Sequence, residues 1–375
     1  MSEEQPIRIA EIIGKWVGGG VETVVMNYYR QIDHSKIQFD FICDDDSINI
    51  PYKEIESLGG RVILIPPYQK VFCYQKKLIE VLKNNKYKII HSHINTLSVF
   101  PLRAAKKAGV PVRIAHSHST TNKKEWKKNA MKSVLKCFSK VYATDYFACT
   151  EYAGRWLFGN KIVNNGELFV LSNAIDLEKF EFKETTRNKK RQELGLSSDT
   201  FVVGNIGRFV PQKNHTFLID IYYQICKINK NSVLLLVGQG PLMKEIEEKV
   251  EKLNLSKNVM FLGQRTDVNE LYQAFDCFLF PSLYEGLGMV TIESQCSGCQ
   301  TVTSTNVPYI TKVTDNIIYL SLNEKSEVWA STVVNKSKVK NRVSYINEIQ
   351  NAGYDICKEV KNLEDFYLNI NERSN

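Results

Sequence analysis

The feature that most limits what this chain can fold into is a grammar repeated along nearly its whole length. Short runs rich in β-branched residues alternate with longer amphipathic stretches. Strand, helix and strand in that order build a parallel sheet closed by crossover helices. In the first half the strand runs are Ile7 to Ile13, Gln38 to Cys43, Arg61 to Ile65, Lys88 to His93, Val112 to His116, Tyr146 to Cys149 and Phe169 to Leu171. In the second half they are Phe201 to Ile206, Ser232 to Val237, Val259 to Leu262, Cys277 to Phe280 and Thr301 to Thr303. The fold class is therefore α/β, with two doubly wound units in succession. A length of 375 residues agrees, since one domain usually takes ~100 to 200. Lys183 to Arg191, basic and nearly without apolar side chains, reads as a solvated linker and sets the boundary near Phe180. The expected division is 1–180, 181–345 and a helical tail, 346–375, packing back on the body. Within that tail Ile346, Ile349, Ile356, Val360, Leu363 and Phe366 recur at helical spacing, while the pattern blurs past Thr311.

Composition narrows the setting. Ser2, Glu3 and Glu4 open the chain without the look of a signal peptide, and no apolar run reaches the ~20 residues of a membrane-spanning helix. A cytoplasmic location is expected. The nine cysteines lack the spacing of a disulfide framework, and Cys296 and Cys299, the one C-x-x-C pair, read as packing. A net charge of +8 favours anionic partners. Nucleic acid is not among them, because the basic residues are not interleaved with aromatics in a recognisable module.

The chemistry lies in loops that follow the strand runs. Ile13 leads into Gly14-Lys15-Trp16-Val17-Gly18-Gly19-Gly20 and then a helical stretch. Glycines there let the backbone approach a ligand, and a helix start offers unpaired N–H groups to anionic oxygens, although a tight turn explains the run equally well. After Ile206, the loop Gly207 to Asn214 sets Arg208 beside Lys213. Two cations at a strand's carboxyl end suit a pyrophosphate; a solvated loop is the plain alternative. Gly238-Gln239-Gly240-Pro241 and Gly263-Gln264-Arg265 follow the next two strand runs. Sharpest is Glu285 to Glu293, where Gly286 and Gly288 free backbone N–H groups at a helix start. A carboxylate on that helix, Glu293, can clamp vicinal ribose hydroxyls.

Taken in order, G-R-x-x-x-x-K-N, V-G-x-G-P-L, F-L-G-x-R-x-D-V and P-S-x-x-E-G-x-x-x-x-x-x-E resemble family 4 of the retaining GT-B glycosyltransferases. More narrowly they are similar to bacterial exopolysaccharide and capsule enzymes, over nearly the whole chain up to about Thr311. The resemblance implies two Rossmann-like domains facing a cleft, a nucleotide-sugar donor such as a UDP-sugar, and a lipid-linked or oligosaccharide acceptor held by the N-terminal domain. It puts Arg208 and Lys213 on the donor diphosphate, approached by Gly19 and Gly20 from the other domain. Glu293 would clamp the ribose, Glu285 would sit beside the transferred sugar, and backbone around Gly263 to Arg265 would meet the base. Gly238, Gly286, Leu287 and Gly288 complete the expected donor cradle. The family likeness further implies front-face attack with retention, the leaving phosphate helping to deprotonate the acceptor.

His91-Ser92-His93 and His116-Ser117-His118 both fall at strand ends. By resemblance His116 or His118 contacts the donor sugar, with His118 preferred because Ser119, Thr120 and Thr121 follow it. A metal pair at i and i+2 is conceivable, but no carboxylate stands near in sequence, and no metal and no other cofactor is expected. Asp44-Asp45-Asp46 reads as a solvated loop. One departure from relatives is Gln295 to Gln300, where small residues and a proline are usual. Rival readings on the same fold are a nucleotide-sugar 2-epimerase and a catalytically silent sugar-nucleotide-binding subunit. Last, Lys123 to Lys140 carries seven lysines against Glu125 alone, with Trp126, Ala130, Met131, Val134, Leu135 and Phe138 at helical spacing. That is a basic amphipathic helix suited to an anionic membrane surface at the inner face of the cell membrane, or a core helix with a solvated lysine face.

Overall fold

The computed structural model describes residues 5–118, 135–136, 138–337 and 342–373. The lysine-rich stretch from Lys123 lies almost wholly outside them. Two compact units are present: residues 1–175 with 354–375, and residues 176–353.

The first unit holds β1 (Ile7–Gly14), β2 (Ile37–Asp44), β3 (Arg61–Ile65), β4 (Ile89–Ser92), β5 (Val112–Ser117), β6 (Asp145–Ala148) and β7 (Leu168–Val170). They form one sheet in the order β3-β2-β1-β4-β5-β6-β7, every pair parallel. The second unit holds β8 (Phe201–Ile206), β9 (Ser232–Val237), β10 (Val259–Gly263), β11 (Cys277–Phe280), β12 (Gln300–Ser304) and β13 (Ile317–Leu320). Their order is β10-β9-β8-β11-β12-β13, again all parallel. In both sheets the winding reverses once, between β1 and β4 and between β8 and β11. At such a switch point the loops leave in opposite directions and open a crevice at the strands' carboxyl ends.

Three expectations are corrected. The presumed linker is the helix Glu184–Glu193. Lys189 is exposed, but three of its cations are drawn into the structure: Arg187 donates to the carbonyls of Gln273, Ala274 and Phe275 at 2.9, 3.3 and 3.1 Å, Lys190 meets Glu193, Asp267 and Glu270, and Arg191 is buried. Guanidinium and ammonium groups neutralise the carboxyl end of the helix Val268–Ala274 and the acids around it. The tail is not one helix, since Gly353, at φ 84°, separates Ile346–Asn351 from Ile356–Arg373. These two pieces belong to different units. Finally, β13 went unread because its run, Ile317 to Leu320, is only four residues long and lies past Thr311, where the pattern blurs.

The chain leaves the first unit after Ile175 and returns at Tyr354, and the two points are stitched together. Ile175 N–H donates to Tyr354 O at 2.9 Å, and Ile356 N–H to Ile175 O at 3.1 Å. The returning helix then buries Ile356, Val360, Leu363 and Tyr367, spaced four, three and four apart, in the same cluster as Ile9, Phe39, Phe41 and Phe147. The second core gathers Val203, Leu218, Tyr222, Leu234, Leu236 and Trp329 around β8 and β9. No described helix is long and apolar enough to cross a membrane.

Because Leu363 is 2 % exposed in that first core, Leu363→Ala is expected to destabilise the first unit by about 3 kcal/mol. Urea denaturation followed by tryptophan fluorescence checks this through Trp16, which is buried in the same cluster.

Candidate active site

In the second unit six hydrogen bonds cross the switch point and lock the loop after β8 to the loop after β11. Leu283 N–H and Ser282 Oγ donate to Gln212 O at 2.8 and 2.9 Å. Gln212 Nε2 reaches Tyr284 O at 3.0 Å and Glu285 Oε2 at 3.1 Å. Asn214 Nδ2 donates to Pro281 O at 3.1 Å, and Lys213 Nζ to Glu285 Oε1 at 2.7 Å. Asn214 sits at φ 55°, a left-handed conformation that asparagine tolerates well, which explains the asparagine that closes the motif. Gln212, central to this lock, was missed by the sequence reading; its only signal was its place between the two cations.

The ion pair of Lys213 and Glu285 is mostly buried, at 15 % and 7 % side-chain exposure. Ser282 Oγ lies 2.6 Å from the same carboxylate, so its one proton is shared between Glu285 Oε1 and Gln212 O, and Phe280 lies under the ammonium, 4.7 Å from ring centre to Nζ. Arg208 is exposed at the head of this loop, with no side-chain partner among the described residues. The site thus offers one free guanidinium and one ammonium held by a carboxylate.

The glycine loops pack beside it without spare room. Gly238 has φ 132°, and a Cβ there would stand 2.1 Å from Gly207 O; at Gly240 it would stand 2.5 Å from Phe209 O. Gly238 N–H also donates to Gly263 O at 2.8 Å, tying in the loop after β10. Arg265 is held by its neighbour Asp267 at 2.7 and 2.6 Å. Gly286 is exposed and Leu287 buried, and Gly288, at φ 86°, precedes the helix Met289–Cys296. Glu293, on that helix, accepts from Tyr272 OH at 2.9 Å. Burial pushes it up to about 7, against the pull of that hydrogen bond. Cys296 and Cys299 are buried free thiols.

In the first unit Gly18, at φ 71°, turns the chain so that Gly19 precedes the helix Gly20–Gln31. Glu22 folds back under Gly19 and accepts from Val17 N–H at 2.9 Å, while the space beside Gly20 is open. Asp46 of the acidic run pairs with Lys15 at 2.6 Å. At the switch point itself, His91, His93, His116 and His118 line a cavity of ≈ 10 Å³ together with Glu11, Tyr28 and Tyr367. Glu11 was missed, though a lone acid inside Ile9 to Ile13 was its signal. Tyr367 gave none, because it arrives from the far end of the chain.

The sequence family described as Glycosyltransferase Family 4 matches residues 18–179, and that described as Glycosyl transferases group 1 matches residues 186–321. Over 371 residues the chain is 34 % identical to a protein of Bacillus subtilis (strain 168) named as the glycosyltransferase EpsF, covering 96 % of each. The chain belongs to glycosyltransferase family 4. It is also 27 % identical, over 98 % of each chain, to the UDP-Gal:alpha-D-GlcNAc-diphosphoundecaprenol alpha-1,3-galactosyltransferase of Escherichia coli. Among solved structures it superposes on Anabaena HepE in complex with UDP and glucose with a TM-score of 0.78, at 18 % identity and covering 96 % and 99 % of the two chains. The fold is GT-B, as the family implies.

Glu293 titrates at about 7 in the folded family-4 chain, against 4.5 unfolded, so the unfolded chain releases this proton first and native stability falls as pH rises between the two values. Glu293→Gln is therefore expected to be more stable than the parent above pH 7, by about 2 kcal/mol. The gap should close on acidification towards 4.5, and chemical denaturation at pH 5 and pH 8 checks it.

Proposed function

We propose that this protein transfers a sugar from a UDP-sugar to a lipid-linked or glycan acceptor in the assembly of an exopolysaccharide or capsule, with retention of the anomeric configuration. The observation that carries the reading is the convergence of Arg208, Lys213 and Glu285 at the second unit's switch point. Two cations there neutralise a leaving diphosphate, an electrostatic contribution made where charge develops and without a divalent metal. The donor class is supported by the UDP complexes of HepE. The acceptor class is supported by the diphosphoundecaprenol in the name of the E. coli relative, and the biological setting by EpsF and by the Staphylococcus aureus capsular enzyme CapH.

In this reading the second unit holds the donor. Arg208 and Lys213 take the diphosphate, Glu293 the ribose, and backbone at Gly263 to Arg265 the base. Gly238, Gly286, Leu287 and Gly288 close on the phosphates and sugar. Glu285 does two things: it orients Lys213, and it stands beside the transferred sugar. The first unit holds the acceptor, Gly19 and Gly20 turn towards the diphosphate, and His118 rather than His116 meets the donor sugar. The enzyme works in the cytoplasm against the inner face of the membrane, drawn there by Lys123 to Lys140. Each lysine near an anionic surface adds ~1 kcal/mol.

The deciding experiment supplies UDP-, GDP- and ADP-sugars with lipid-extract acceptors and identifies products by mass. Transfer from a UDP-sugar that persists in EDTA is expected; release of an epimerised sugar without any acceptor would overturn the reading.

Arg208→Ala and Lys213→Ala should each weaken UDP binding about 10- to 100-fold by calorimetry, since charge-assisted bonds of ~1.5–3 kcal/mol are lost. Glu285→Gln should instead lower turnover while UDP affinity stays within about threefold. Liposome flotation tests the surface: binding to anionic vesicles, and none to neutral ones, should be abolished when Lys124, Lys127, Lys128 and Lys132 become glutamate.

A further inference from the structure

The first unit carries a surface charge that the donor site does not use. Between Lys70 and Arg113 stand ten lysines and arginines and a single acid, Glu80, a net charge of +9. The whole chain is +8, so the remaining residues sum to about zero and the excess is local. Its place in the fold decides what it can meet.

The segment includes two crossover helices, Val71–Asn84 after β3 and Val99–Ala108 after β4. They pack side by side: Gln75 Nε2 donates to Phe100 O at 2.7 Å, and the rings of Tyr68 and Phe100 stack at 5.5 Å. Their inner sides, Tyr74, Leu78, Leu82, Leu102 and Ala105, share a core with Ala10, Ile12 and Ile90. Strand side chains alternate between faces, and Ile9, Ile13 and Ile89 belong to the core that the helix Ile356–Arg373 closes. The two crossover helices therefore cover the other face of the first sheet.

Their outer sides are basic. On Val99–Ala108 the exposed residues are Arg103, Lys106 and Lys107 and no others, neighbours at i, i+3 and i+4 on one stripe. On Val71–Asn84, the exposed Phe72, Lys76 and Lys83 fall within about 40° of one another around the helix axis. The one acid, Glu80, pairs with Lys77 at 2.9 Å. Lys76, Lys83, Arg103, Lys106 and Lys107 form no ion pair among the described residues. Unlike Arg187 and Arg342, which are spent on carbonyls inside the second unit, these five cations face water.

At the head of the stripe Phe72 is 91 % exposed, the highest value among the large apolar side chains of the described residues. A ring left in water beside cations is the combination with which a peripheral protein enters a bilayer: the cations meet lipid phosphates and the ring passes below them. A crossover helix starts where its strand ends, so Phe72 lies at the carboxyl end of the first sheet, the end that also carries the glycine loop after β1. With this face on a bilayer, the strands run along the surface and that edge stays beside the lipid. A nucleic acid fits the face less well, because Phe72 stands alone and base stacking takes aromatics repeated along a groove.

We propose that the paired helices Val71–Asn84 and Val99–Ala108 dock this protein on an anionic lipid bilayer, with the five cations on headgroup phosphates and Phe72 inserted between them. The inference rests on the membrane placement proposed above and deepens it, through residues other than Lys123 to Lys140. Each exposed cation near a charged surface strengthens binding about fivefold, an effect that salt screens. The ring adds about tenfold or more that salt does not screen.

The test is flotation of the full chain with vesicles of phosphatidylglycerol and phosphatidylcholine, and of phosphatidylcholine alone, at low and high salt. The parent is expected on the anionic vesicles only, and less of it at high salt. Combining Lys76→Gln, Lys83→Gln, Arg103→Gln, Lys106→Gln and Lys107→Gln should weaken that binding about 100-fold or more, with the urea midpoint read by Trp16 unchanged. Phe72→Ser alone should weaken it about tenfold at either salt concentration. A control with the same loss of charge, Lys227→Gln, Lys230→Gln, Lys244→Gln, Lys252→Gln and Lys257→Gln on exposed positions of the second unit, should bind within about threefold of the parent, because charge away from the contact is screened. Equal binding to both kinds of vesicle, a first-unit variant that floats like the parent, or a control weakened as much as that variant would each overturn this docking face. A parent that floats with neither vesicle, with or without binding to duplex DNA, overturns the face together with the membrane placement proposed above. A parent and a first-unit variant that float alike remove the face alone.

Discussion

Parallel pairing is the constraint on which the rest of this molecule depends. A parallel strand cannot reach its neighbour through a hairpin, so a helix must carry the chain back, and every loop that follows a strand emerges at the same end of the sheet. In each unit the winding reverses once, and there the loops part. Arg208, Lys213, Glu285 and the glycine loops come together for that reason, though β8 and β11 are separated by two strands in sequence. The same geometry in the first unit brings Glu11 on β1 beside the histidines that end β4 and follow β5.

Charge is then placed so that little of it is unanswered. Lys213 in the donor loop is held by Glu285, which fixes where the ammonium points and leaves Arg208 as the exposed cation. Far from that loop, Arg342 spends its guanidinium on the carbonyls of Tyr272, Gln273, Phe275 and Ser297, and Arg187 does the same for the end of the same helix. A protein with a net charge of +8 thus uses several of its cations as internal struts.

The buried cluster of the first unit follows a different logic. Removing Glu11 from water disfavours its charge, and Tyr367 and His93 meet its two oxygens with hydrogen bonds. The helix that supplies Tyr367 comes from the far end of the chain, after the second unit is complete. Closing the first core and completing this network are therefore one event.

Family and fold stood in the sequence because local periodicity and local motif are enough for them: a β-branched run is buried on both faces, and G-R-x-x-x-x-K-N or Glu285 to Glu293 shapes one loop at a time. Most strand boundaries, the doubly wound class and the loops of the donor site were open to that reading. Lys183 to Arg191 was not, since whether a basic run is solvated depends on which carbonyls and acids lie opposite it. Nor were Gln212, Glu11 and Tyr367, whose roles are set by partners 70 or more residues away. Side-chain type and spacing determined which residues had to be buried and which loops had to turn. Only tertiary structure decided which charges met, because hydrogen bonds and ion pairs act over about 3 Å in space and take no account of distance along the chain.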